Sequence, residues 1–376
     1  MSKTSFVNLG EPQPVIHAST PLIISRSSSW VRFLSLSLYT TSANLSSLAL
    51  SSGFEISSNK GFGTVTKTFI FSPPNTVALT HTLRLWKLII SYIYRDFKIR
   101  KAFPLVKFTV YTLAFPNYSA EEAIKAAAQL GYDGVDIRVR EDGHVFIDAP
   151  KEFRKRLVEL AESLGIRIYG VYTYLGRNFV VPDPNVRRRA LEEARAHLDL
   201  AVDLNGAYVR IFAGTKERTE RNMKLFIEMC RLVCREAEDR GLLIGIETHG
   251  ELVYSGDTCN LVLEEVGCDA LTIVYDIAHI YMEGLNPLEE LKKVDLNKVI
   301  AFQFHDFKKE DSKWRAVLLS YGEVPHDPVI EYLRSQGYDK FVVDEYEKWW
   351  RPELPDPMVG LKHNLKYLKE KFGVVR

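Results

Sequence analysis

The chain has 376 residues, long enough for one large domain or two ordinary ones, and its net charge is +1 at pH 7. Its composition excludes a membrane-spanning helix. The best candidate, residues 83–94, is shorter than the ~20 apolar residues that a span requires, and it contains Arg84 and Lys87. We therefore expect no membrane partner.

The composition changes abruptly near residue 106. Residues 1–106 contain three acidic and eleven basic residues, whereas residues 107–376 contain 45 acidic and 38 basic residues. Serine changes at the same point, with 18 residues before the boundary and six after it. Two different kinds of sequence are therefore joined end to end.

The N-terminal segment, residues 1–106, lacks the charged start, apolar core and cleavage site of a signal peptide. Its Ser/Thr-rich, basic composition overlaps with that of organellar transit peptides. Because no methionine lies between Met1 and Met223, translation from a non-AUG codon at Leu105 or Val106 would also explain the break. We favour this last interpretation over a transit peptide. Residues 1–106 are thus predicted to be a Ser-rich basic extension that is disordered or lies outside the native protein.

From residue 107 onward, short β-rich runs alternate with longer amphipathic segments, which is typical of a parallel sheet built from βα units. The predicted strands span 107–114, 134–138, 167–174, 208–213, 242–248, 271–276, 299–305 and 340–346. The predicted helices lie near 119–130, 151–164, 187–204, 219–240, 258–266, 287–294, 326–336 and 356–372.

Eight strands and eight helices predict a closed (β/α)₈ TIM barrel over residues 107–376, since this fold takes ~250 residues. An open doubly wound sheet is the alternative. Such a sheet normally has a Gly-rich turn after its first strand, and residues 113–117 (LAFPN) are not one. The sequence therefore favours the barrel.

All four cysteines lie in the barrel region, at Cys230, Cys234, Cys259 and Cys268. Cys230 and Cys234 share a face of a predicted helix, but no second pair completes a zinc-knuckle pattern. We therefore predict free thiols in a reducing, cytoplasmic compartment.

Metal-capable side chains end four consecutive predicted strands. They are Glu247, Asp276, His305 and Glu345. Each follows the one before by about one βα unit, so the four would lie at one height around the carboxyl-end mouth of the barrel, where the active sites of such barrels lie. Three carboxylates and one imidazole suit one divalent ion, with Mn²⁺, Mg²⁺ or Co²⁺ favoured and Zn²⁺ possible.

Strand alternation agrees with this placement. The residues two positions before the four candidates would also point into the barrel; they are Gly245, Val274, Gln303 and Val343. The bulky neighbours would then face the helices; they are Ile244, Ile246, Phe302 and Phe304.

Six stretches carry a family resemblance: residues 131–138 (GYDGVDIR), 165–170 (GIRIYG), 208–214 (YVRIFAG), 246–249 (IETH), 276–279 (DIAH) and 337–345 (GYDKFVVDE). Through them the chain resembles the xylose isomerase-like barrel superfamily and, within it, the sugar phosphate isomerase/epimerase group. The resemblance covers residues 107–376 and none of residues 1–106. It implies the barrel fold, a bound metal ion and a small-molecule carbohydrate substrate.

The resemblance also implies roles. In the ketose 3-epimerases of this group, two metal-bound glutamates move a proton next to the substrate carbonyl. Glu247 and Glu345 match these catalytic residues, and Asp276 and His305 match the other two ligands. His279 matches a histidine that contacts substrate, although orienting a metal ligand is a second role open to it.

The chain departs from the epimerase pattern after the strand-seven histidine. Phe307 and Asp311 stand where the epimerases have a glutamate and an arginine that contact substrate, which argues against a free ketohexose or ketopentose.

Other residues near strand ends are candidate substrate contacts. Arg138 and Arg210 would bind an anionic group, and His249 would contact substrate beside Glu247. The aromatic residues Tyr172, Tyr174 and Trp314 would form pocket walls. Lys308, Lys309 and Arg315 suit either an anion site or a solvated loop.

The leading hypothesis is a metal-dependent isomerase or epimerase of a sugar, a sugar phosphate or a related polyol-ketone. A lyase such as a keto-inositol or dehydroshikimate dehydratase is the nearest alternative, because proton abstraction next to a carbonyl begins both reactions. An endonuclease IV-like DNA-repair nuclease is a distant one. It uses further histidines, which strands three and four lack, and the net acidic barrel disfavours nucleic acid.

A non-catalytic sugar-binding relative is a further alternative, which the intact set of four ligands argues against. A homo-oligomer is compatible with the sequence.

Overall fold

The structure, a computed structural model, describes residues 32–41, 49–59, 64–71 and 106–374. The chain divides into two compact units, Met1–Arg100 and Lys101–Arg376. The boundary between the units lies close to the change in composition near residue 106.

The first unit contains three strands that the sequence analysis does not predict. They are β1 (Arg32–Thr41), β2 (Ala49–Asn59) and β3 (Thr64–Phe71), which pair antiparallel in the order β1-β2-β3. The interpretation of residues 1–106 as an extension outside the native protein stays a prediction. Residues 83–94 and Leu105, on which two of the predictions above depend, lie outside the described residues.

The second unit is a closed barrel of eight parallel strands, as the sequence predicts. Its strands are β4 (Lys107–Tyr111), β5 (Gly134–Arg138), β6 (Arg167–Tyr172), β7 (Tyr208–Ile211), β8 (Leu243–Glu247), β9 (Leu271–Asp276), β10 (Val299–Phe304) and β13 (Phe341–Asp344). β13 pairs with both β10 and β4, which closes the barrel.

The described residues of this unit form nine α-helices. They are α1 (Ala120–Leu130), α2 (Lys151–Ser163), α3 (Pro184–Asp203), α4 (Glu220–Glu238), α5 (Gly256–Val266), α6 (Ile277–Met282), α7 (Pro287–Lys292), α8 (His326–Gln336) and α9 (Pro357–Phe372). Within the described ranges, no helix is long and apolar enough to cross a membrane.

Local signals fix several helix ends. Ser119 and Glu122 form a capping box at the start of α1, and Gly131 ends that helix in the left-handed conformation with φ 90°. α3 begins three residues before its predicted start because Asp183 caps it by accepting a hydrogen bond from the backbone of Asn185.

In the barrel unit, one α-helix and one β-hairpin were not predicted from the sequence. Helix α6 starts directly after Asp276, and a hairpin of β11 (Asp306–Glu310) and β12 (Lys313–Val317) follows the seventh barrel strand. Several predicted strands also extend past the last paired residue of the barrel, as at Thr112–Ala114, which is a turn of 3₁₀ helix. The residues beyond the strand ends thus belong to the loops of the barrel mouth.

The strand residues divide into two packed layers. Val274 and Val343 pack inside the barrel in a cluster with Tyr111, Tyr172 and Tyr208. The residues predicted to face the helices belong to the larger outer core, which contains Ile244, Ile246, Phe302 and Phe304. The predicted alternation is therefore confirmed at these positions.

The prediction of four free thiols is wrong for one pair. Cys234 on α4 and Cys268, just before β9, form a disulfide with a Cα–Cα distance of 6.5 Å. The two residues are 34 positions apart in sequence, so their proximity depends on the tertiary packing of α4 against the segment before β9. Cys230 and Cys259 are buried free thiols.

Candidate metal centre

Four strands bring the predicted ligands to one end of the barrel. Glu247 and Asp276 are the last residues of β8 and β9, His305 follows β10, and Glu345 follows the last residue of β13. All four side chains are buried. Because the strands are parallel neighbours, their carboxyl ends meet at the mouth of the barrel.

The ligand atoms of these residues lie close together. One oxygen each of Glu247, Asp276 and Glu345 lies within 4.8 Å of the other two. The Nε2 atom of His305 lies 3.0 Å from both carboxylate oxygens of Asp276. The three carboxylates therefore lie within reach of one ion, and His305 adjoins them at Asp276.

The charges of this cluster fit a bound cation. Burial raises the pKa of Glu345 well above its usual value, and repulsion from Glu247 and Asp276 adds to this. Burial also favours a neutral Asp276, but attraction to His305 and His279 holds its pKa below the usual range. Three crowded carboxyl groups and one imidazole form an oxygen-rich donor set, which suits a divalent ion.

Arg210, on β7, pairs with one of the predicted ligands. Its Nε atom lies 2.9 Å from Oε2 of Glu247, and both side chains are buried. Burial raises the pKa of Glu247, and the Arg210 charge partly opposes that rise. Arg210 also donates a hydrogen bond of 3.3 Å to the Tyr111 hydroxyl. Predicted as a contact for a substrate anion, Arg210 instead has a carboxylate of the protein as its partner here.

Three further residues contact the predicted ligands, and these contacts were not predicted from the sequence. Gln303 donates a hydrogen bond from Nε2 to Oε2 of Glu345. The Thr248 hydroxyl accepts a 2.8 Å hydrogen bond from the backbone of Asp276. Oε2 of Glu347 lies 3.7 Å from Nδ1 of His305. Gln303 and Glu347 each lie two residues from a predicted ligand. This spacing places two side chains on the same face of a strand, and it is the sequence signal that could have identified both residues.

Two histidines lie beside the ligands at the mouth. The rings of His249 and His279 lie 3.9 Å apart, and Nε2 of His249 is 3.9 Å from Oε1 of Glu247. His279 is on α6, and its backbone N–H donates a 2.8 Å hydrogen bond to Oδ1 of Asp276. Burial lowers the pKa of each histidine to about 4. Both rings are therefore neutral at pH 7 and able to contact a substrate hydroxyl or an ion.

The remaining predicted substrate residues have other partners. Arg138 is buried, donates hydrogen bonds to Asp142, and stacks 4.3 Å from the centre of the Trp349 ring. Tyr172 lies inside the barrel beneath the guanidinium of Arg210. Trp314 is on β12 of the hairpin and packs against Tyr281 of α6 at 5.9 Å.

Solved structures of low sequence identity share this fold. A probable 3-DHS dehydratase, AsbF from Bacillus anthracis, matches with a TM-score of 0.60 and 18% identity, covering 70% of this chain and 99% of that one. A D-allulose 3-epimerase from Methylomonas sp., in complex with D-allulose, matches with a TM-score of 0.58 and 15% identity, covering 71% and 98%.

The IOLI protein with a bound zinc atom matches with a TM-score of 0.59 and 18% identity, covering 71% of this chain and 98% of that one. A search of curated proteins finds no match. The model of the xylose isomerase-like TIM barrel family matches residues 124–371. This match spans most of the chain and nearly all of the barrel, and the chain therefore belongs to the xylose isomerase-like TIM barrel family.

Proposed function

We propose that the chain is a divalent-metal-dependent isomerase or epimerase of a sugar, a sugar phosphate or a related polyol-ketone. The observation that carries the proposal is the convergence of three carboxyl groups and one imidazole at the mouth of the barrel. Similarity to solved epimerases supports the proposal at the level of fold.

The ion would be held by Glu247, Asp276, His305 and Glu345. When bound, it would polarise a substrate carbonyl and stabilise the negative charge that develops on its oxygen. The donor set indicates a preference among ions rather than one ion. Oxygen-rich sites favour Mn²⁺, Mg²⁺ or Co²⁺, and zinc is also compatible.

Two residues of the chain would move the proton. Glu247 lies beside the Arg210 cation, which favours its charged form, so it suits the group that removes a proton next to the carbonyl. Glu345 has no arginine at a comparable distance among the described residues, so it suits the group that returns a proton. Unlike surroundings for two carboxyl groups are a common way to separate acid and base roles.

His249 and His279 would orient the substrate. Both rings are neutral and face the ligand cluster from the same side. Each has a ring nitrogen suited to a hydrogen bond with a substrate hydroxyl. A small-molecule carbohydrate is therefore the proposed partner, and homo-oligomer formation stays a prediction.

A lyase is the second candidate. Removal of the same proton begins a dehydration, and one of the solved structures with this fold is a probable 3-DHS dehydratase. The nuclease alternative has less support, because β6 and β7 end in Tyr172 and Ile211 and carry no histidine.

The test uses the purified chain. Metal analysis should give one divalent ion per chain, and keto-sugars, their phosphates and keto-inositols should be screened for uptake of solvent deuterium. We expect uptake next to the carbonyl of at least one compound. Three zinc ions per chain, or a metal-loaded protein that exchanges no proton of any compound, would contradict the proposal.

A further inference from the structure

One arginine at the barrel mouth differs from the others. Among the arginines at or after the carboxyl ends of the barrel strands, six lie within 4.0 Å of a carboxylate oxygen: Arg138, Arg140, Arg210, Arg218, Arg315 and Arg351. Arg177, in the loop after β6, has no such partner among the described residues. Burial raises the pKa of the nearby Glu251 to about 7, and the charge of Arg177 partly opposes that rise without forming an ion pair of that length.

The position of Arg177 is nevertheless fixed by its neighbours. Its guanidinium carbon lies 4.9 Å from the centre of the Phe212 ring and 5.6 Å from that of Tyr174. Contacts of this kind between a guanidinium and aromatic rings restrict the position of the cation and leave its N–H groups able to donate to an anion. The side chain is exposed to solvent, so that edge is accessible to a ligand.

The backbone before Arg177 is docked onto the end of β7. Gly176 has φ 106°, and a Cβ atom at this position would clash with the carbonyl of Phe212. The backbone N–H of Phe212 donates a 2.8 Å hydrogen bond to the carbonyl of Leu175. The turn that carries Arg177 is therefore anchored beside the strand that carries Arg210.

Phe212 connects this arginine to the metal centre. Its ring also contacts Arg210, whose guanidinium carbon lies 4.3 Å from the ring centre, and His249, at 4.9 Å between ring centres. Arg210 in turn contacts the ligand Glu247. Arg177 thus contacts the same aromatic ring as two residues that lie beside the proposed metal centre.

We propose that Arg177 binds an anionic group of the substrate, a carboxylate or a phosphate, while the substrate carbonyl lies at the metal centre. This inference rests on the proposed function and names its substrate class: an anionic ketone, either a sugar phosphate or a keto acid. The planar fork of arginine donates paired hydrogen bonds to such groups, and a neutral sugar offers nothing equivalent. The six arginines with carboxylate partners are less available for this role.

The kinetic test compares ketones that differ only in the anion, such as D-fructose and D-fructose 6-phosphate, together with keto acids, in the deuterium-uptake assay. For an anionic substrate, Arg177→Gln should raise KM by about 10- to 100-fold, the effect of losing a charge-assisted hydrogen bond, with kcat changed much less. Arg177→Lys should give an intermediate KM, because it keeps the charge and loses the fork.

Arg188→Gln is the matched control. Arg188 is an exposed arginine on α3, paired with Glu192 at 2.9 Å, and its replacement should leave KM unchanged. A direct measurement uses inorganic phosphate and glycolate as probes, titrated by calorimetry into the full chain without divalent ions. Both anions should bind to the parent chain and to Arg188→Gln, and binding should be lost in Arg177→Gln.

The outcomes separate this inference from the proposed function. Neutral and anionic ketones could take up deuterium with equal efficiency, and Arg177→Gln could have no effect on either. That result would overturn the role of Arg177 and leave the proposed function standing. Anion binding that depends on Arg177, without exchange in any ketone, would support the anion site and contradict the proposed function.

Discussion

The guanidinium of Arg210 lies 2.9 Å from a carboxylate oxygen of Glu247, and both side chains are almost completely excluded from solvent. A buried carboxylate without a partner is costly, and the charge of Arg210 partly offsets the burial that raises the pKa of Glu247 at the end of β8. The pair also sets Glu247 apart from Glu345, which has no arginine within the same distance in the described part of the chain. The two glutamates therefore differ in their surroundings before any substrate binds.

The first prediction concerns this ion pair. Arg210→Met keeps most of the side-chain volume and leaves Glu247 buried without a cation. We expect the metal-free chain to lose about 3–5 kcal/mol of unfolding free energy, measured by urea denaturation, because one partner of a buried pair is removed. Adding Glu247→Gln should restore part of the loss. Arg188→Met, at an exposed pair, is the control, and an equal loss there would contradict the explanation.

The second prediction concerns pH and metal affinity. Burial would lower the pKa of His305, but the Asp276 carboxylate raises it well above the usual value. His305 therefore carries a proton near pH 7 in the metal-free chain, and an ion must displace it. Affinity should rise with pH by up to ~10-fold per unit for one released proton. Calorimetry in buffers of different ionisation enthalpy measures that proton, and an affinity independent of pH would contradict the prediction.

The pairing of His305 with Asp276 also affects the stability of the metal-free chain. Because the pKa of His305 is raised in the folded state, its contribution to stability is fully present below the unfolded value of ~6.5. That contribution is lost as pH rises through the folded pKa. Unfolding free energy in the absence of metal should thus fall on the alkaline side, and saturating metal should remove this dependence.

The convergence of the proposed ligands could be predicted from the sequence because it depends on local periods. Glu247, Asp276 and His305 recur at intervals of one βα unit and occupy the same face of successive strands, so the strand pattern alone brings them together. The Arg210–Glu247 pair could not be predicted in this way. Arginine has several rotamers, and its choice between a substrate anion and a neighbouring carboxylate depends on packing against Phe212 and Tyr172.

The disulfide was missed for a similar reason. Cys234 and Cys268 belong to different βα units, and their meeting depends on tertiary packing rather than on a local sequence pattern. Helix α6 was missed because it follows β9 without a loop, and its N-cap, Asp276, is both the last residue of that strand and a predicted metal ligand. The sequence signal for a short helix is weak when its N-cap residue also serves as a predicted ligand.

The third prediction concerns the N-terminal segment. A chain that starts at Val106 should fold and keep full activity, because the unit from Lys101 to Arg376 is compact by itself and contains all the proposed ligands. Circular dichroism, thermal unfolding and the deuterium-uptake assay would compare it with the full chain. Insoluble protein or lost activity on truncation would show that residues 1–105 are structural.

The last prediction concerns the two proposed proton-transfer residues. Glu247→Gln and Glu345→Gln each keep an oxygen for the metal and remove a carboxylate that can accept a proton. Turnover should fall by the ~10²–10⁴-fold typical of a lost acid or base, while metal affinity weakens only in part. Asp276→Asn should act mainly through metal affinity and be partly rescued by excess metal, because Asp276 moves no proton in the proposed reaction.

Proton exchange separates the two glutamates. If Glu247 removes the proton and Glu345 returns one, Glu345→Gln should still exchange the substrate proton with solvent without forming product. Glu247→Gln should lose both exchange and product formation from the same starting epimer. Near-normal turnover of both variants with metal bound would exclude the pair, since Glu347, the other carboxylate at the end of β13, lies against His305 and Arg351 rather than across from a second base.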